Sequence, residues 1–452
     1  MALAIVLVVL VVGSVLFHIF SPWYLTPIAS NWSSIDTTID ITFWVTGFVF
    51  VAVNLFLAYV VWKFRHKDDV RAAYEPENSK LEGWLTGITA IGVVAMLAPG
   101  LFVWAQFVNV PEEAHEFEAI GQQWHWSYRF PGEDGVFGKV DSRLITDINP
   151  FGMNPDDPSG QDDVLIDSPI VHLPIDEPVK ALLRSKDVLH DFAVAEFRVK
   201  MDLVPGLVTF LWLTPTKLGT YDLLCEELCG VGHFAMRGKV VIEPREDFES
   251  WLATYPTYEE ASQQKTANVD AGRGSYAVCA ACHGQQGEGN PALNAPKLAG
   301  QGAWYVARQI KNYQTGRRGA HQDDVYGKQM APMVATLVNT QAVANVAAYI
   351  ASLPNNNPAE KTISGDLEHG KKLYRTCANC HGKQGQGIQA LNAPRTAGMS
   401  DWYLARQLEN FKSGVRGAHT DDIYGQQMAL MAFILKDESS VNDLVAYMNS
   451  FN

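Results

Sequence analysis

Charge is what this chain has little of. Of its 452 residues only 19% are Asp, Glu, Lys or Arg, while 47% are hydrophobic. One soluble core does not need that balance, which points to a membrane portion and several domains. Positive charge is the scarcer sign, with 35 Lys and Arg against 49 Asp and Glu and a formal net charge of −14. A nucleic-acid partner is thereby excluded, because phosphate backbones select basic surfaces. Cysteine is sparse too, six in all, so each one has to be accounted for. Two local signals are also missing. The apolar N-terminus lacks the basic region of a signal peptide, and the acidic "NPDDPSGQDDV" around Asp156, Asp157, Asp162 and Asp163 lacks EF-hand spacing, so it reads as a solvated turn.

What is present begins with long apolar runs. Ile41 to Trp62 and Gly83 to Val110 carry no charged residue, and each exceeds the roughly 20 residues needed to cross a bilayer. A transmembrane helical hairpin is predicted over 41–110. Its loop contains Lys63, Arg65, Lys67, Arg71 and Lys80, which the positive-inside rule holds in the cytoplasm, so everything beyond residue 110 lies on the outer face. Residues 1–20 read as a third span or signal anchor, with Trp23 and Tyr24 following as interfacial anchors.

Beyond the membrane, residues 111–254 carry short β-rich runs such as "DVLIDS", "LVTFLWL" and "GKVVIEP", separated by Pro, Gly and Asp, as in an all-β sandwich or barrel. A polar linker leads to a duplicated unit, predicted over 268–354 and 366–452. Cys279 recurs as Cys377, and this offset of 98 holds without a gap from Gly272/Gly370 to Tyr349/Tyr447. Two copies do not make a solenoid.

Each copy carries Cys-x-x-Cys-His: Cys279, Cys282, His283 and Cys377, Cys380, His381. That spacing lets two thiols form thioethers to a haem while the imidazole binds its iron. A zinc ribbon would need four ligands per site, and a thioredoxin motif would need a βαβ unit. Met330 and Met428 occupy equivalent positions and are read as the distal iron ligands. Met333/Met431 and the His321/His419 of "RGAH" are the competing choices. The copies resemble class I cytochromes c and, as a pair, the dihaem cytochromes built from two such domains. That resemblance implies a glycine (Gly272, Gly370) where a C-terminal helix crosses closely, and a proline (Pro296, Pro394) where the haem histidine is hydrogen-bonded.

Four cysteines assigned to haem leave Cys225 and Cys229 in "CEELCGVGHFAM", with His233 and Met236 following. A disulfide would leave that histidine and methionine unexplained, whereas thiolate, imidazole and thioether form the set that copper selects. His190 of "DVLHDFAV" can add a second imidazole. Together with "GQQWHWSYRF" and "KMDLVPG", these stretches resemble subunit II of the haem-copper oxidases from Ile41 to about Leu252. The resemblance implies a cupredoxin-like domain with a dinuclear CuA centre. In it Cys225 and Cys229 bridge the coppers, His190 and His233 bind one each, Met236 is a weak ligand and Glu227 ligates through its carbonyl. It further implies magnesium shared with subunit I through the Glu227 carboxylate, and Trp124 as the residue where electrons arrive; Trp126 reads as core. The long stretch 131–170 and the extra N-terminal span depart from the family pattern.

The expectation is therefore a multidomain membrane protein with N-terminal transmembrane α-helices, an all-β cupredoxin-like CuA domain and two all-α class I cytochrome c domains. By resemblance it is subunit II of a respiratory cytochrome c oxidase with two covalently bound haems c. Electrons would pass from haem c to CuA and on to subunit I, where oxygen is reduced. Implied partners are subunit I, subunit III, membrane lipid and an upstream donor such as a bc complex or soluble c-type cytochrome. The implied location is the bacterial inner membrane, with the metal domains on the periplasmic face. A nitric oxide reductase subunit and a stand-alone electron carrier are the alternatives; a quinol oxidase subunit would lack the copper ligands.

Overall fold

The computed structural model describes all residues except 22–24, 69, 72–73, 75, 147–148, 263–266, 356–360 and 452. Trp23 and Tyr24, the expected anchors, lie outside the described residues. Three helices, α1 (Ala2–Phe20), α2 (Ser33–Lys63) and α3 (Ser79–Val108), are long and apolar enough to cross a membrane, and their side chains are almost entirely unburied by the rest of the chain. The hydroxyls of Thr38, Thr42 and Thr46 in α2 donate to carbonyls one turn back, which satisfies them where water is absent.

The stretch before α2 is fixed to the β-domain. Ser30 Oγ donates to Phe197 O at 2.7 Å, Trp32 Nε1 donates to Trp212 O at 3.0 Å, and the Arg198 guanidinium holds both carboxylate oxygens of Asp36. The start of α2 and the end of α3 therefore share the face that carries the β-domain, leaving the basic loop at the other end.

The β-domain is a sandwich of two five-stranded sheets. Its strands are β1 (His115–Gln122), β2 (His125–Phe130), β3 (Val164–Ile166), β4 (Ile170–Pro174), β5 (Val179–Ser185), β6 (His190–Val194), β7 (Val199–Leu203), β8 (Thr209–Leu213), β9 (Gly219–Leu224) and β10 (Arg237–Glu243). The sheet orders are β3-β2-β1-β5-β8 and β4-β10-β9-β6-β7. Alternating residues of both sheets fill the core, among them Phe117, Trp126, Tyr128, Phe192 and Leu223. The long β2–β3 connection uses its acidic residues internally. This corrects the solvated-turn reading at Asp163, which is fully buried and accepts from Arg129 and from Gly138 N, while the half-buried Asp157 accepts from Lys139 N.

Helices α4 (Arg245–Leu252) and α5 (Tyr258–Ser262) lead into the repeat. The first copy contains α6 (Val269–His283), α7 (Ala303–Gln314), α8 (Val325–Val334) and α9 (Thr340–Ser352); the second contains α10 (Leu367–His381), α11 (Asp401–Lys412), α12 (Ile423–Ala432) and α13 (Glu438–Met448). A Cβ on Gly272 would stand 2.1 Å from Asn345 O, and one on Gly370 2.0 Å from Asp443 O. These glycines are what let the first and last helices of each copy cross at backbone distance.

The copies pack on each other about a local two-fold axis. Arg318 donates to Gln309, Gln407 and Tyr403, and its equivalent Arg416 donates to Gln407, Gln309 and Tyr305. Arg308 reaches Asn392 at 2.7 Å while Arg406 reaches Asn294 at 2.8 Å. Each residue thus meets the twin of its own partner, the signature of an isologous interface.

Candidate metal and haem centres

The β9–β10 hairpin builds the thiol site. Pairing of Leu224 with Arg237 brings the ends of the intervening loop together, and Cys225 N donates to Met236 O at 3.3 Å. Across this closed loop Cys225 Sγ and Cys229 Sγ stand 3.7 Å apart as free thiols, both buried. His190, at the start of β6, puts Nδ1 4.0 Å from Cys225 Sγ. His233 Nδ1 lies 3.6 Å from Cys229 Sγ, Met236 Sδ 3.8 Å from the same sulfur, and Glu227 O 3.2 Å from Cys225 Sγ. All six residues singled out in the sequence converge here. Among the described residues, His190, Cys225 and Cys229 form the cluster whose donor atoms lie within 4.8 Å of one another.

The electrostatics suit a cation. Hydrogen bonding from Cys229, with His190 adding to the effect, holds the Cys225 thiol well below the usual thiol range, while the same contact pushes Cys229 up. One proton is thus shared by the sulfur pair, and a metal can replace it. Burial works against charge on His190, but hydrogen bonds to Asp187 and Cys225 outweigh it and raise its pKa. Asp187 Oδ1 accepts from His190 Nε2 at 2.8 Å, which leaves Nδ1 facing the sulfurs. Sequence reasoning missed Asp187; a carboxylate three positions before a candidate histidine ligand was the available signal.

Trp124 lies directly against this loop. Its Nε1 donates to Cys229 O at 3.1 Å, and a Cβ on Gly232 would be 2.4 Å from its ring. Trp126 is fully buried, edge-on to Phe192, as a core aromatic.

In each copy the Cys-x-x-Cys-His run closes the first helix, so its three side chains share one helical face. His283 Nδ1 donates to Pro296 O and His381 Nδ1 to Pro394 O, both at 2.7 Å, which leaves Nε2 free. Burial lowers the pKa of both imidazoles, favouring the neutral form that binds a metal. A single continuous cavity is lined by Cys279, Cys282, His283 and Met330, by Cys377, Cys380, His381 and Met428, and also by Trp124. Met333 and Met431 line it too, but Met330 and Met428 also pack into the two helical cores. His321 and His419 do not line it; their Nδ1 atoms accept from Asp323 N and Asp421 N within their own turns.

Residues 116–244 match the family described as cytochrome C oxidase subunit II, periplasmic domain, and 269–354 and 367–452 each match cytochrome c. The alternative cytochrome c oxidase subunit 2 of Bradyrhizobium diazoefficiens is 59% identical over 258 residues, covering 57% of this chain and 93% of that protein.

This chain belongs to the cytochrome c oxidase subunit 2 family.

The cytochrome c oxidase subunit 2 of Cereibacter sphaeroides is 30% identical over 244 residues, 48% of this chain and 78% of that one. Among solved structures, cytochrome c4 from Pseudomonas stutzeri is 29% identical with a TM-score of 0.35, covering 41% of this chain and all of that one. The subunit II periplasmic domain of Bradyrhizobium japonicum is 26% identical with a TM-score of 0.24, covering 32% and 96%. As a subunit II with cytochrome c domains, the chain is part of an oxidase complex, has an electron-transfer role and has subunit I as a partner. Its two family types imply copper and haem c, and the donor sets described above fit both. The three apolar helices suggest a membrane anchor, with the β-domain on the outer face.

Proposed function

We propose that the chain is subunit II of a respiratory cytochrome c oxidase, taking electrons through two haem c domains, 268–354 and 366–452, to a CuA centre in domain 111–254, and on to subunit I for reduction of oxygen to water. Cys225, Cys229, His190, His233, Met236 and the Glu227 carbonyl hold the copper pair. Cys279, Cys282, His283 and Met330 hold one haem; Cys377, Cys380, His381 and Met428 hold the other. When bound, these groups supply one-electron redox chemistry. The chain's own task is to keep their donor atoms fixed, which buried strands, closed loops and helix ends do well.

One observation carries this reading. Trp124 is held on one side by Cys229 O and on the other by the second copy, whose Gln427 Nε2 donates to Trp124 O at 2.6 Å. Helix α12, which bears Met428, packs against the His233–Ala235 turn of the copper loop. The second copy is thus the donor immediately next to copper, and the first lies upstream of it. Such a tether replaces diffusional docking with a high effective concentration. Residues 1–20 and 41–110 anchor the chain in the inner membrane lipid, the Glu227 carboxylate shares magnesium with subunit I, subunit III completes the complex, and a bc complex or soluble c-type cytochrome supplies electrons.

The test is the purified complex carrying Cys225→Ser. The near-infrared copper absorption should vanish while two haems c per chain remain, and cyanide-sensitive oxygen uptake should stop. Full copper absorption in that variant would sink the site assignment.

A further inference from the structure

The two cytochrome copies have equivalent faces on α8 and α12 but unequal surroundings. In the second copy, α12 lies on the β-domain: Ile423 is 7% exposed, Gln427 donates to Trp124 O, Tyr424 OH meets the His125 imidazole at 2.9 Å, and Cys380 packs on the β-domain core. Gln122 of the β-domain also donates to Ala390 O. The first copy repeats these positions 98 residues earlier, as Val325, Gln329, Tyr326, Cys282 and Ala292. There Val325 is 56% exposed and Tyr326 and Met333 are 41% exposed, while Gln329, Cys282 and Ala292 are also exposed.

From this repeat symmetry we propose that the α8 face of the first cytochrome domain is the docking surface for the external electron donor. The occupant is a small soluble one-electron carrier whose redox centre is ringed by an apolar patch. Three observations lead there. The twin of this face is a redox interface inside the same molecule, made by apolar contact plus a glutamine amide. The surface around Trp124, where such a carrier would otherwise dock, is covered: Trp124 is only 8% exposed, Gln427 is bonded to its carbonyl, and Tyr424 meets the neighbouring His125. And α8 carries Met330 and lines the haem cavity, as α12 carries Met428 and lines it in the second copy. The exposed α8 face is thus the outer end of a chain of like-on-like contacts, and its small apolar area suits transient, fast-exchanging docking. The inference rests on the proposed function in needing a haem in the first copy.

The experiment uses the intact complex and whichever soluble monohaem cytochrome c sustains its fastest turnover. A photo-crosslinking amino acid replaces Val325 in one variant and Ile434, exposed on the second copy, in another. Crosslinks should form from position 325 and not from 434. Val325→Glu, at a position outside the cavity lining, should raise the KM for the reduced cytochrome about tenfold, a loss of about 1.4 kcal/mol of docking energy. Turnover driven by a small diffusible dye should not change. Crosslinks confined to position 434, an unchanged KM in the Glu variant, or no soluble carrier that sustains turnover would each overturn the proposal. The underlying reading fails separately, if the pyridine haemochrome spectrum of the wild-type complex shows fewer than two haems c per chain.

Discussion

The two cytochrome copies share a fold and a residue pattern, yet one packs against the β-domain beside the thiol loop and the other presents the same face to solvent. The arginine–tyrosine contacts that flank the two faces are the same in both copies. Tyr326 and Tyr424 both take an arginine over the ring, Arg406 and Arg308 respectively, at 4.3 Å. Only Tyr424 also meets His125, whose Nε2 lies 2.7 Å from Asp167, and only Arg308 reaches that carboxylate, at 4.0 Å. The β-domain thus breaks the symmetry of the pair, by offering one acidic and aromatic patch to one of two equivalent faces. Duplication supplied two equivalent surfaces, and the β-domain covers one of them.

The largest effect should come from undoing that assignment. Ile423→Asp combined with Gln427→Ala removes the apolar contact and the hydrogen bond to Trp124 O. Electron transfer from the haem c domains to copper should slow by on the order of 100-fold, because undocking turns a fixed contact into a search by a linked domain. Val325→Asp with Gln329→Ala, the matching change on the first copy, should leave this internal step unchanged. Flash photolysis that follows haem c reoxidation against the copper band reads both, and equal slowing in the two variants would mean that α12 is no junction.

A smaller effect should be symmetrical. Gly272→Ala and Gly370→Ala each drive a methyl group to within about 2 Å of a carbonyl oxygen on the crossing helix. Each should destabilise its own copy by about 1–3 kcal/mol, the usual cost of overpacking. Thermal melts followed by haem absorbance should show the same drop for both. A much smaller loss in the second copy would show that docking on the β-domain supports its fold as well as its position.

Much of this was legible in the sequence because it is local. Cys-x-x-Cys-His lies on one helical turn, the copper loop falls within twelve residues, and the gapless repeat announces itself. His190 was on offer as a second imidazole, but its role as a ligand came only with the family resemblance, since β6 meets the β9–β10 hairpin only in three dimensions. What stayed hidden depends on choices among equivalents. Gln329 and Gln427 sit at equivalent repeat positions, each just before a methionine, and nothing in that placement says which will face Trp124. The fastening of Ser30, Trp32 and Asp36 to the β-domain was equally silent, because their partners lie more than 160 positions away. Asp187 was visible but unremarkable until its carboxylate was seen on His190.

The last comparison concerns the interface between the copies, where symmetry is kept. Arg318 and Arg416 are both buried, no carboxylate is recorded within ion-pair distance of either among the described residues, and both share the same two acceptors, Gln309 and Gln407. Removing either arginine leaves those acceptors served by the other, so each of Arg318→Ala and Arg416→Ala should cost about 1 kcal/mol of interdomain stability. The double variant strips both glutamines at once, and it should cost more than the two singles together by about 0.5–1 kcal/mol. Urea titration of the complex, monitored at the haem band, measures all three. Strict additivity would mean that the arginines act as independent contacts, and that the two-fold arrangement is a relic of duplication and not a coupled clamp. Excess loss in the double variant would show that the copies are held as one rigid body, so that a carrier docked on the first is held at fixed distance from the junction made by the second.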